Sequence, residues 1–173
     1  QDDEVFRVGT DAVLLGALSS ANDYKNILEI GSGTGIISLM LAQRNLDAKI
    51  KAIDINRKAS KISALNFTNS PYLSRISAEN VDFNDFKSEN KFDLIICNPP
   101  YFEATPQSDK DEIARQKIHL NFSQLIENSA FHLNDSGIFS VIIPFDSAEN
   151  FEIEALNNSL YLSKKIVENV LSS

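Results

Sequence analysis

Two acceptors aimed at one point would receive a planar NH2 group, and Asn98-Pro99-Pro100-Tyr101 has the means to build them. The two prolines force an extended, rigid backbone and remove two N–H donors. The Asn98 side-chain oxygen and the Pro99 carbonyl can then face the same point, each accepting one N–H of an exocyclic amine. Accepting both bonds raises electron density on that nitrogen and favours its pyramidal, nucleophilic form. Tyr101, with Phe102 beside it, offers a face on which a flipped base can stack, worth about 1–3 kcal/mol on comparable aromatic platforms. A proline turn that merely ends a strand is the plainer reading. The position directly after the apolar run Asp93-Leu94-Ile95-Ile96-Cys97 favours the receptor.

A second constellation is Glu29-Ile30-Gly31-Ser32-Gly33-Thr34-Gly35. Glycines suit a tight turn where a ligand approaches the backbone closely. Asp54 lies 23 residues after Gly31, at the end of the next strand-like run, where a ribose-binding acid belongs. The spacing is Gly-x-Gly-x-Gly, not the Gly-x-Gly-x-x-Gly of dinucleotide dehydrogenases. No basic residue in the loop suggests a phosphate, and there is no Gly-Lys-Ser/Thr of a triphosphatase.

These residues need elements to position them. Ile27–Ile30, Lys49–Ile53, Arg75–Ala78 and Phe92–Cys97 read as four strands, and Ile138–Ile143 as a fifth. Gly35–Arg44 and Lys58–Asn69 read as helices between the first three. Asn121, with Gln124 three residues on, reads as a helix cap, and Phe122, Leu125, Ile126, Ser129, Ala130 and Leu133 follow at helical spacing before Gly137. Ser147–Asn157 reads as a helix and Leu160–Val167 as a strand. Strand–helix alternation predicts an α/β fold, doubly wound, with a mostly parallel sheet. Ligands in such folds bind beyond the carboxyl ends of the strands, where both motifs stand.

The chain has 173 residues, 24 acidic and 16 basic, with a formal charge of −8 and no repeat or linker-like break. Its length suits one domain, residues 1–173. A single cysteine excludes an internal disulfide, and with His119 and His132 it makes a poor metal site, so no metal is expected. Cys97 closes an apolar strand and reads as a buried small hydrophobe rather than a pyrimidine-attacking nucleophile. The histidines receive no role. No apolar run reaches membrane-spanning length, and the acidic start Gln1-Asp2-Asp3-Glu4 is unlike a signal peptide. A cytoplasmic, monomeric protein is expected, with a sequence incomplete at both ends. The acidic balance opposes nonspecific polyanion binding.

The glycine loop with Glu29 and Asp54 resembles that of class I S-adenosylmethionine-dependent methyltransferases, which implies a seven-stranded Rossmann-like sheet and S-adenosyl-L-methionine as cofactor. By that resemblance Asp54 accepts both ribose hydroxyls and Ile55 packs on adenine. Glu29 orients the loop and the methionine end, and Gly31, Ser32, Gly33, Gly35 and Asn98 bind the cofactor. Asp82 receives the adenine amino group, with Glu79 or Asp85 as substitutes after a small shift. Asn98 and the residues after it resemble the motif of amino-methyltransferases acting on adenine, guanine or glutamine. Together with Phe6-Arg7-Val8-Gly9-Thr10-Asp11 and the Leu120-Asn121-Phe122 helix entry, the chain resembles the bacterial tRNA adenine-N6 methyltransferases. This implies Gly9, Thr10 and Asp11 against the methionine end, and a tRNA partner whose adenine lies next to the anticodon of a valine tRNA. Arg115 and Lys117 are then the candidate phosphate contacts, with Arg7, Lys110, Lys164 and Lys165 as further cations. The region after Pro144 lacks the arginine-containing final strand of that family. A release-factor glutamine methyltransferase, or a cofactor-binding module without activity, are the alternatives.

Overall fold

A computed structural model describes residues 8–19, 23–99 and 122–168. Helix α1 (Thr10–Leu18) precedes β1 (Asn26–Ile30), α2 (Ile36–Arg44), β2 (Lys49–Asp54), α3 (Arg57–Thr68), β3 (Ile76–Asn80) and β4 (Phe92–Cys97). Then follow α4 (122–132), β5 (Leu133–Val141), a single 3-10 turn at Phe145–Ser147, and α5 (Ala148–Asn157). The five strands lie in the order β3-β2-β1-β4-β5, and every pairing is parallel. This is the expected α/β class; the described residues supply five strands where the resemblance implies seven.

Strand β1 is buried from Ile27 to Ile30 because a parallel sheet is covered on both faces. The period of two sends Ile27, with Ile50, Leu94 and Ile96, toward Leu15, Ile37, Leu41 and Phe67 on one side. Leu28, Ile30, Ile53 and Ile95 face Phe86, Phe92 and Leu133 on the other. Phe122, Ile126 and Phe151 extend that second layer through α4 and α5. His132 is buried there, its Nδ1 2.8 Å from the Asn128 carbonyl and its ring beside Phe83, Phe86 and Phe131, so its place is structural. No helix among the described residues is long and apolar enough to cross a membrane.

At the opposite edge from the glycine loop, one carboxylate ties three strands. Asp93 accepts the Lys25 and Asn26 backbone N–H groups at 2.8 and 2.9 Å, and the Asn134 side-chain amide at 2.6 Å. Partial burial works to raise its pKa, but those three bonds and the Lys25 charge outweigh it and hold the carboxyl below its usual range. The stability it confers is therefore present above the ordinary carboxylate pKa and lost as pH falls through the lowered value. Asp93→Ala should cost about 1–2 kcal/mol, since it removes three hydrogen bonds whose donors are partly buried or at the surface. Urea denaturation at neutral pH measures it; an unchanged midpoint would rule out the latch.

Three elements differ from expectation. Gly137 does not separate helix from strand, because β5 already begins at Leu133 and bulges between the Phe92–Leu133 and Leu94–Ile138 pairs. A side chain at Gly137 would meet the Phe92 carbonyl oxygen at 2.8 Å, which accounts for the glycine there. Leu160–Val167 forms no strand. After Ser159 (φ 62°) the chain turns alongside α5, with Leu160 packed on the Phe151 cluster and Lys165 paired to Glu152 at 2.6 Å. Only Leu160 of its apolar residues is packed; Tyr161, Leu162, Ile166 and Val167 stay exposed. The third strand runs from Ile76 to Asn80, two residues beyond the expected end.

Candidate active site

The strand order reverses at β1, whose neighbours β2 and β4 are followed by helices that pack on opposite faces, so a crevice opens where β1 and β4 end. Ile30 pairs with Cys97, which sets Asn98 beside the start of the glycine loop. A cavity of about 200 Å³ lies there, walled by Val8, Gly9 and Ala12 around the start of α1, Glu29, the loop from Gly31 to Thr34, Ile36 and Ile37 of α2, and Asn98. The two motifs, nearly seventy residues apart in sequence, thus open on one space.

The loop takes its shape from backbone conformations that side chains resist. Gly31, Gly33 and Gly35 all have positive φ, and a Cβ at Gly35 would lie 2.4 Å from the Phe67 ring. The Gly31 and Ser32 N–H groups donate to the Ile53 carbonyl at 2.9 and 3.0 Å. Asn66 donates to the Thr34 carbonyl at 2.8 Å, and Ser32 Oγ lies 3.2 Å from Ser63 Oγ. Helix α3 therefore braces the loop from outside.

Glu29 is only 1% exposed, yet it lines the cavity. Helix α2 starts at Gly35 with no side-chain cap, and Glu29 supplies the missing acceptor: its Oε2 receives the Ser38 N–H at 3.0 Å and the Ser38 hydroxyl. Burial pushes its pKa up to about 8, opposed by the two Ser38 bonds and reinforced by the Asp54 charge. Cys97 is buried and its thiol is raised further, first by burial and then by Glu29, which suits a packed hydrophobe and not a nucleophile.

Asp54 is buried at the end of β2, and both of its oxygens hold backbone: Oδ2 accepts the Gly33 N–H at 2.9 Å and Oδ1 the Asn56 N–H at 2.8 Å. Each oxygen keeps a further lone pair for a ligand hydroxyl. The next residue, Ile55, is 70% exposed, an apolar surface at the same sheet edge. Asn80 fixes this exit by donating to the Asp54 and Ile55 carbonyls at 2.8 and 3.0 Å.

Asp82 lies two residues past β3 and accepts the Asn84 N–H at 2.9 Å, closing a local turn. Glu79 is committed to Lys51 at 3.0 Å on the strand itself. Thr10 is exposed and Asp11 half-buried on the first turn of α1; the cavity wall is made by their neighbours Val8, Gly9 and Ala12. Pro99 is half-buried after Asn98. Pro100, Tyr101, Phe102, Arg115 and Lys117, with Arg7 and Lys110, lie outside the described residues. Lys165 is already paired with Glu152. Ser38, Ser63, Asn66 and Asn80 support the site without having been singled out by sequence; only the cap missing from α2 hinted at the first.

Asp54→Ala removes the acceptors of the Gly33 and Asn56 backbone N–H groups as well as the proposed ribose contacts. It should weaken binding of a nucleoside-containing cofactor by about 2–4 kcal/mol and loosen the loop. Calorimetry on the variant reads the first effect, and unchanged affinity would place the nucleoside elsewhere.

A family model for the methyltransferase small domain matches residues 6–157. A tRNA1(Val) (adenine(37)-N6)-methyltransferase of Flavobacteriaceae bacterium (strain 3519-10) is 50% identical over 166 residues, covering 96% of this chain and 71% of the relative. One from Phocaeicola vulgatus is 44% identical, covering 91% and 68%. Among solved structures, a SAM-dependent O-methyltransferase of Thermotoga maritima superposes with TM-score 0.60 at 17% identity, covering 88% of this chain and 49% of that one. An N-methyltransferase of Bradyrhizobium japonicum, in complex with S-adenosyl-L-homocysteine, gives 0.51 at 20% identity, over 76% and 58%. At such identities the structural likeness is one of fold.

Proposed function

Because this chain belongs to the methyltransferase small-domain family, and within it to the tRNA1(Val) adenine-N6 methyltransferases, we propose that it methylates the exocyclic N6 amine of an adenine in tRNA, with S-adenosylmethionine as donor. The observation that carries this reading is the opening of Glu29 and Asn98 onto one cavity. The residues fit the cofactor. A buried carboxyl faces the cavity, Asp54 stands at the neighbouring strand end, exposed Ile55 adjoins it, and among the described residues no cationic side chain lines a space meant for a ligand without phosphate.

When bound, S-adenosylmethionine supplies a methyl group already activated on a sulfonium, so the protein's work is positioning and electrostatics. Glu29 and the loop hold the methionine end, with Thr10 and Asp11 near it. Asp54 takes the ribose hydroxyls, Ile55 the adenine face and Asp82 the adenine amine. Asn98 and the Pro99 carbonyl receive the substrate amine, which Pro100 keeps rigidly aimed. Tyr101 and Phe102 form the platform for the target base. Adenine in an anticodon loop is partly unstacked, so presenting it costs less than from a duplex. The enzyme works as a cytoplasmic monomer and uses no metal.

Labelled S-adenosylmethionine offered with whole tRNA, the isolated anticodon stem-loop and a glutamine-containing peptide tests this. Label should appear in tRNA and be recovered as N6-methyladenosine by mass spectrometry of nucleosides. Transfer to the peptide and to neither RNA would make it a protein glutamine methyltransferase. Transfer to none would make it a cofactor-binding module.

A further inference from the structure

An enzyme of charge −8 needs some local surface on which to receive a polyanion, and helix α3 has the composition for one. Its twelve residues carry Arg57, Lys58 and Lys61 and no acid. Helix α5 has the reverse, Glu149, Glu152 and Glu154 and no base. All three cations of α3 are exposed, and none takes part in an ion pair or ring contact among the described residues.

Folding does not account for them. They occupy the first turns of the helix, where the macrodipole disfavours positive charge. The start of α3 is already capped by Asn56, whose side chain accepts the Lys58 and Ala59 N–H groups at 2.8 and 3.2 Å. Position gives them a use. Helix α3 begins three residues after β2 ends, at the sheet edge that bears the cavity. Strand β2 stands two strand spacings from β4, roughly 10 Å, so the start of α3 and Asn98 stand at the same end of the sheet.

We propose that Arg57, Lys58 and Lys61 form the ridge that grips the phosphate backbone of the RNA substrate beside the target base. This rests on the tRNA reading above and adds to it the surface that binds. The cations hold phosphates and read no sequence, so they set affinity and leave the choice of base to the Asn98 receptor.

The test is methylation of unfractionated bacterial tRNA by the full chain, with KM for tRNA followed between about 50 and about 200 mM salt. The Arg57→Gln/Lys58→Gln/Lys61→Gln variant should raise KM for tRNA at least about 10-fold at low salt. It should also lower the slope of log affinity against log salt by about 2–3. Its kcat at saturating tRNA and its S-adenosylmethionine affinity should stay at wild-type values, which also shows that it folds. Lys25→Gln/Lys49→Gln, at the opposite edge of the sheet, should change the slope little. Wild-type KM and slope in the triple variant, or an equal loss in the double variant, would overturn the ridge while leaving the tRNA reading intact. A wild-type protein that transfers no methyl to tRNA would overturn both.

Discussion

Replacing Asn98 with alanine should lower turnover at least about 100-fold while leaving S-adenosylmethionine affinity nearly intact, the size of loss expected when a partner of the transition state disappears. The expectation follows from the sheet. Strand β4 is buried apart from Asp93 and registered against β1 through Leu94, Ile95, Ile96 and Cys97, so Asn98 emerges at a fixed height beside the loop. Alanine there leaves the strand and the loop's own hydrogen bonds unchanged, because these run to β2 and α3. What it removes is an acceptor, and with it the pull on the substrate amine. Single-turnover kinetics with saturating cofactor separate this from a binding defect. Methylation at the wild-type rate would show that the amine is received elsewhere.

The second large effect concerns pH. The Glu29 carboxyl has its pKa raised from an ordinary 4.5 to about 8 in the folded protein, chiefly by burial. The folded state therefore holds a proton that the unfolded chain releases, so stability is full below about pH 4.5 and falls as pH rises through about 8. Each pH unit inside that window costs up to about 1.4 kcal/mol. Glu29→Gln cannot ionise and still offers an oxygen to the Ser38 N–H. Relative to that variant, the wild-type protein should lose about 3–5 kcal/mol between acidic and alkaline ends of the window. Urea denaturation of both proteins across it gives the difference, in which titration of other groups cancels. Parallel pH profiles would mean that Glu29 ionises normally despite its burial.

Much of this was legible in the sequence because local rules and tertiary packing agree. The apolar runs at Ile27–Ile30 and Phe92–Cys97 are buried strands, and the glycine spacing marks a loop whose backbone needs positive φ. Glu29, Asp54 and Asn98 are readable by their place at the carboxyl ends of strands. Their partners are not. Ser38, Ser63, Asn66 and Asn80 are ordinary residues whose contributions are single hydrogen bonds to atoms far away in sequence, and nothing in their own neighbourhood marks them. Asp54 was read as a ligand contact, and its second task, holding Gly33 and Asn56, depends on a loop geometry that appears only on folding. Leu160–Val167 failed for a related reason. An apolar, β-branched run becomes a strand only if a backbone ladder is there to receive it, and among the described residues none does. The segment is held beside α5 by Leu160 and the Lys165–Glu152 pair while its other apolar residues stay exposed.

The division of the site between β1 and β4 also bears on how the protein reaches its folded state. Strands β1, β2 and β3 are joined by single helices and pair in sequence order, so that half closes only short loops. Ile27 meets Leu94 only after two helices and two further strands have been placed, a contact of high sequence separation. The glycine loop is thus assembled by local events, whereas Asn98 arrives with the slowest pairing in the sheet. Substitutions that weaken the β1–β4 seam should slow the gain of methyl transfer during refolding more than they slow the formation of helix. The chain acquires its architecture before its chemistry.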